Sequence, residues 1–482
     1  MILLHLPFLG AATLFLVGYY IWKSISSPLR KVPGPRISHF SSLILKFYEF
    51  RALRTKYVHN LHLRYGPVVR IAPNEVSFAS LEGIKEIYGS GGSGYDKTEF
   101  YDLFKVYGRR KRILADRYAN SNVMKPQSLD GITERSKRLV DRCRNSTGRS
   151  VDLFVHLHDY AFDGVTHHLF HPYGSDSLRD PKDEEIMKQV AFDDSLQNRL
   201  VEYYNPSLHK IIGKFLSLFA KPRETPLAEN LVLSATSKPD PEQFTLLHRM
   251  QEQQHKAKEK SELEQIDMAA ECLDHMAAGI DTTGDGLCFL MWEISQPRSI
   301  HIQQKLQKEL LLFNNHHENH HTMTSFDKLP YLDAVVMEGL RCFPAIPMSL
   351  PRYVPRGGRT IDGYFMPEHT IVSSQAYSAH RIDKEVFPDP DVFDPDRWLV
   401  EEGKLDRKRL FFAFASGGRG CIGKHLALAE MKILLRDVYS QFTTLPDESM
   451  TDQDMEMADQ LISSQPRGKK CLVRLEPHMI DT

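Results

Sequence analysis

The chain has 482 residues, 41% of them hydrophobic, and a formal net charge of −1. That length and apolar content suffice for a large buried core and exclude a disordered or fibrous chain, while the near-zero charge argues against nucleic acid as a partner. The six cysteines (Cys143, Cys272, Cys288, Cys342, Cys421 and Cys471) are scattered with no C-x-x-C pair, the usage of a reducing compartment, so neither a disulfide framework nor a zinc ribbon is expected.

Residues 2–22, "ILLHLPFLGAATLFLVGYYIW", carry no charged side chain apart from His5. As a helix they would span roughly 31 Å, about one hydrocarbon core. Tyr19, Tyr20 and Trp22 sit where an interfacial belt belongs, and Lys23, Arg30, Lys31 and Arg36 follow. Residues 1–22 are therefore expected to be a retained transmembrane signal anchor with the bulk of the chain in the cytosol. Residues 23–37 contain "KVPGPRI", whose prolines cannot continue a helix and bend the chain away from the membrane. "YGPVVRIAPNEVSF" then predicts two short strands, 68–71 and 75–78, in a small hairpin.

From about residue 128 to 308 the apolar periodicity is mainly helical. The strongest helix candidate, beginning at Ser261 and continuing without proline to Pro297, predicts a central helix opened by a capping box of Ser261 and Glu264. Midway it reads Ala278-Gly279-Ile280-Asp281-Thr282-Thr283-Gly284, where a threonine hydroxyl can bond the carbonyl one turn back. Small residues serve close packing just as readily. Glu338 and Arg341 lie three apart on one helical face with apolar flanks, so a buried pair is expected, with Arg397 of "FDPDRW" as a further partner. Short strands return over residues 349–373. Then "FASGGRGCIG", residues 414–423, surrounds one cysteine with four glycines and an arginine before a helical pattern resumes. Glycines let backbone N–H groups approach a thiolate, and a helix N-terminus favours its charge.

Together these motifs resemble the cytochrome P-450 superfamily of haem-thiolate monooxygenases, fungal microsomal type. Phe414-x-x-Gly417-x-Arg419-x-Cys421-x-Gly423 matches its haem signature, Glu338-x-x-Arg341 its core motif, and Ala278-Gly279-x-Asp281-Thr282-Thr283 its oxygen-activation motif. The resemblance implies a mainly α fold with a minor β part, residues 38–482 forming a single large catalytic domain, and haem b as cofactor. Cys421 would be the axial thiolate on iron. Phe414 would pack on the cysteine side of the ring, and Arg419, Arg352 and Lys111 would meet the propionates. Asp281 and Thr282 would deliver protons to bound dioxygen. Glu338, Arg341 and Arg397 would lock the fold behind the haem loop, and Ala277, Ala278, Ala345 and Ile346 would line the substrate pocket.

The implied partners are an NADPH-dependent cytochrome reductase, an apolar small molecule, such as a secondary-metabolite intermediate, and the endoplasmic reticulum membrane. The alternative is a haem-thiolate isomerase or dehydratase that needs no reductase, and the Asp281-Thr282 pair favours the monooxygenase. The run Asp406 to Arg409, with Lys424 and Lys432, is a candidate basic docking face for the reductase. His316, His317, His320 and His321 form a metal-like cluster in a polar loop without an apolar shell, and no metal role is expected of it. Departures from the family pattern are Tyr107 ahead of Lys111 in "YGRRKR" and His369 where glycine is usual.

Overall fold

The computed structural model describes residues 18–19, 21–22, 24–89, 94–104, 114–146, 148–192, 195–219, 226–256, 265–317 and 326–478. The expected anchor over 1–22 falls almost wholly outside these. Among the described residues no helix is long and apolar enough to cross a membrane. Helices dominate and the sheets are small, as the periodicities predict. The chain divides into two compact units, each assembled from separated segments.

The first unit comprises Met1–Phe100, Pro347–Pro390 and Leu405–Gly420. Its sheet holds β1 (Val68–Ala72), β2 (Glu75–Phe78), β3 (Asp96–Lys97), β4 (Arg352–Tyr353) and β5 (Ile371–Ser374), in the order β1-β2-β5-β4-β3. β1 and β2 form the predicted hairpin, antiparallel with Val68 opposite Phe78. β2 runs parallel to β5, Glu75 opposite Ile371, so the late strands complete the early sheet. Every residue of β1 is buried, and Val58, Leu61, Val69 and Ile71 pack in one apolar cluster beneath it. His369 takes φ +61°, the left-handed region that glycine favours. Its backbone N–H bonds the Val354 carbonyl at 3.0 Å, which holds that turn without glycine.

The second unit comprises Tyr101–Ile346, Asp391–Lys404 and Cys421–Thr482. Its helices include α1 (Pro126–Asn145), α2 (Leu153–Phe170), α3 (Pro181–Phe192), α4 (Leu196–Tyr204), α5 (Gln265–Ser295), α6 (Pro330–Cys342) and α7 (Lys424–Tyr439). The expected central helix is α5, and the proposed capping box lies outside the described residues. α5 runs unbroken through the glycine-containing stretch. Almost all of α2 is buried, including His158, Asp159, Asp163, His167 and His168. The C-terminal end of α5 is tied down where Ser295 Oγ donates to Thr444 Oγ1 at 2.6 Å. Thr444 belongs to Phe442–Pro446, an edge strand paired antiparallel to Leu472–Pro477.

Candidate functional site

Thr282 is half-buried, one turn beyond an exposed stretch of α5. Ala277 and Ala278 are exposed on a helix whose following turns are buried from Thr283 onward. Thr282 Oγ1 donates to the Ala278 carbonyl at 2.6 Å, the one-turn-back bond its position predicts. The hydroxyl proton is thereby committed to the helix, and the oxygen keeps lone pairs to accept from a bound group. Beside it, Asp281 Oδ1 is buried with no hydrogen-bond partner. Burial pushes the Asp281 carboxyl up to about 7, with Arg199 pulling it partly back. A carboxyl poised there gives and takes a proton at neutral pH.

Glu430 of α7 was not legible in the motifs. Its Oε2 accepts from Thr283 Oγ1 at 3.4 Å, and burial pushes its carboxyl up to about 8, with Thr283 and Arg135 opposing. The signal was present but weak: one acid amid the buried Ala429, Met431 and Ile433 of an otherwise amphipathic helix.

The Glu338 network forms as expected and is larger than the sequence suggests. Glu338 Oε2 accepts from Arg341 Nε at 2.8 Å and from Trp398 Nε1 at 2.9 Å. Its Oε1 accepts from Arg341 Nη2 at 2.9 Å, Arg397 Nε at 3.0 Å and the Asp394 backbone N–H at 2.9 Å. Both guanidinium groups also donate to the Val392 carbonyl. One fully buried carboxylate thus draws five donors, and α6 is bound to the short 3-10 turn Pro395–Trp398.

In the first unit, the loop before Cys421 is shaped against Tyr88. Gly417 takes φ +65°, and a Cβ there would come 2.0 Å from the Tyr88 carbonyl oxygen, so only glycine fits. The Tyr88 hydroxyl donates to Leu350 O at 2.5 Å and accepts from Ser374 N at 2.8 Å, while its ring meets Phe412 at 4.9 Å. Arg352, on β4, is buried, with its guanidinium 5.4 Å from the Tyr88 ring centroid. Phe414 is half-buried and Arg419 exposed.

Cys421 opens the next segment of the second unit, two residues before the α7 cap at Gly423. It is exposed, whereas the other five cysteines are buried. Among the described residues no group of three or more His, Cys, Asp or Glu side chains could hold a metal ion. An iron held by this thiolate would have to bring most of its ligands along, as a porphyrin does. The exposed Cys421 sulfur is a donor of the kind that fits haem.

Some expectations fall elsewhere. Lys111 and Tyr107 lie outside the described residues, as do His320 and His321. Of the candidate docking residues, Arg407 is buried, and so is Lys432, which is bound to Asp327 at 2.9 Å and Asp333 at 2.8 Å, while Lys408, Arg409 and Lys424 are exposed. Arg409 pairs with Asp406 at 3.4 Å. Spacing registered the charges but not which were consumed by internal ion pairs.

Comparison with known proteins agrees with this chemistry. Residues 32–472 match the family model described as cytochrome P450. The chain is 28% identical to "Cytochrome P450 monooxygenase orf2" of Aspergillus niger, with 98% of both chains covered. It is 27% identical to "Cytochrome P450 monooxygenase stcB" of Emericella nidulans, over 93% of this chain and 89% of that protein. A third relative, "Cytochrome P450 monooxygenase ORF11" of Penicillium roqueforti, is 28% identical over 90% of this chain and 95% of its own length.

Proposed function

The chain belongs to the cytochrome P450 family and is an oxygen-incorporating oxidoreductase, and from that premise we propose that it inserts oxygen into an apolar small molecule, a secondary-metabolite intermediate, with electrons from an NADPH-dependent reductase. Haem b would be held by Cys421, with Arg419, Arg352, Lys111 and Phe414 as its further contacts, and would supply the redox chemistry on dioxygen. The chain's own residues govern protons and access. Asp281 holds a transferable proton, Thr282 accepts a hydrogen bond from the group bound opposite it, and Ala277 and Ala278 keep the nearby surface small and apolar. The observation that carries the reading is the buried Asp281 carboxyl, pushed up to about 7, next to a threonine whose oxygen is left as acceptor. The reductase-free isomerase or dehydratase reading has no use for such an acid.

The test is NADPH consumption with reductase and candidate substrates, scored against product and released peroxide. Product formed without NADPH or reductase would sink the monooxygenase reading in favour of the isomerase. Asp281→Asn should lower coupled turnover about 10²-fold, the scale of losing a positioned acid. The same variant should be more stable than wild type at alkaline pH. A folded-state carboxyl raised from 3.8 to about 7 makes the native state bind more protons than the unfolded one, so stability falls as pH rises through that window. Neutral asparagine removes that cost, and below the window the two proteins should converge. Denaturant midpoints at several pH values check this.

Membrane attachment at the endoplasmic reticulum belongs to the same proposal. It is supported by the apolar residues 2–22 and by the helix Pro206–Leu216, which buries none of its residues and exposes Ile211, Phe215 and Leu216, with Leu218 and Phe219 following. An alkaline carbonate wash that releases the full chain from microsomes would refute it.

A further inference from the structure

One turn beyond Asp281, on the same face of α5, stands a second acid with no assigned role. Asp285 is 3% exposed, and its Oδ1 makes no hydrogen bond. What it faces is the imidazole of His158 on α2, whose Nε2 lies 3.6 Å from that oxygen, a few tenths of an ångström beyond hydrogen-bond range. His158 Nδ1 is 2.7 Å from the Phe154 carbonyl. A carbonyl only accepts, so Nδ1 carries the ring proton and Nε2 turns a lone pair toward Asp285. A carboxylate would repel that lone pair, whereas a carboxylic acid would donate to it. Burial selects the same neutral pairing: it holds the Asp285 carboxyl well above the usual range, further so once Asp281 is ionised, and lowers His158 to about 4.

The ring is seated by packing. A Cβ on Gly284 would come 2.9 Å from His158 Cγ, so α5 admits the imidazole only because residue 284 has no side chain. The rings of Phe154 and Phe192 (α3) lie 4.7 and 5.0 Å from it. The other titratable groups are placed around this pair. Arg199 of α4 acts on Asp281, Glu430 of α7 meets Thr283, and Cys288, its thiol kept neutral by burial, feels Asp285 from the next turn of α5.

We propose that His158 and Asp285 form a positioning pair for Asp281: His158 Nε2 takes the hydrogen bond of the Asp285 carboxylic acid, turns that proton away from Asp281, and leaves the Asp281 carboxyl without a donor. Asp281 then keeps its own proton at neutral pH until it is drawn on beside Thr282. No bond is made or broken between the three residues. Only the direction in which one O–H points is at stake. The functional sense of the pair rests on the monooxygenase reading, but its test does not.

The full chain, labelled with carbon-13 at the aspartate side-chain carboxyl, is titrated by infrared spectroscopy in the resting state, which separates these acids from Glu430. In wild type, a band lost in D285L should stay protonated at neutral pH, and a band lost in D281N should titrate near 7. His158→Phe removes the acceptor, frees the Asp285 proton to bond the Asp281 carboxylate, and should move the Asp281 transition to at least tenfold higher proton concentration. H158Q, which keeps an acceptor oxygen, should leave it in place. D285L should not lower it, and the double variant H158F/D285L should cancel the H158F shift. Equal shifts in H158F and the double variant, or no shift in H158F, would overturn the pairing. Absence of protonated aspartate in the wild type at neutral pH overturns it even if no variant folds. A normal titration pattern in a protein that fails the NADPH assay would leave the pair standing and the monooxygenase reading fallen.

Discussion

Replacing Glu338 by leucine is expected to destabilise the protein by about 3–5 kcal/mol, the scale of leaving buried charge uncompensated. Five donors converge on that carboxylate: both Arg341 contacts, Arg397 Nε, Trp398 Nε1 and the Asp394 N–H. Leucine preserves volume but strips both guanidinium groups of the carboxylate they share, while the Val392 carbonyl remains an acceptor for each. Unpaired buried donors forfeit their solvation without recompense. The triple variant E338L/R341M/R397M should recover part of the loss, because replacing the whole ionic group with apolar side chains removes the uncompensated charge. Denaturant midpoints at constant m-value measure both. If the single and triple variants were equally unstable, the cost would lie in lost packing rather than unpaired charge.

Cysteine 421 to serine is expected to abolish turnover while leaving the fold intact. The exchange replaces sulfur by oxygen in a side chain of the same shape, so the helical core is left unchanged. What changes is the donor: a serine hydroxyl is not a thiolate at neutral pH, and the strong electron donation that favours O–O cleavage goes with the sulfur. The check is the spectrum of the reduced carbon monoxide complex alongside far-ultraviolet circular dichroism. The thiolate-type band should vanish with the helical signal unchanged. A surviving thiolate band would assign the ligand to another cysteine, all five of which are buried.

Much of this protein could be read from local spacing. The hairpin at β1 and β2, the long α5, the Thr282 back-bond and the Glu338–Arg341 pair all depend on residues a few positions apart, where helical or strand periodicity fixes who meets whom. Arg397 joined the pair as expected. Trp398 and the Asp394 N–H were not anticipated, because a carboxylate's remaining lone pairs are satisfied by whatever the fold brings near. The basic run at 406–409 shows the opposite failure. A count of positive residues treats each as exposed, yet Arg407 is buried, and Lys432, grouped with that run, is bound by Asp327 and Asp333.

By itself, then, the sequence determined the family and singled out the candidate thiolate and the candidate acid–hydroxyl pair on α5, since each is carried by residue identity at short, covalently fixed separations. Only the tertiary structure decided the state of those groups. It buried Asp281 and Glu430, set Tyr88 against Gly417, and laid His158 of α2 into the space that Gly284 leaves on α5. Desolvation and the direction of a hydrogen bond depend on atoms that arrive from distant segments of the chain, and no periodicity within one helix encodes them.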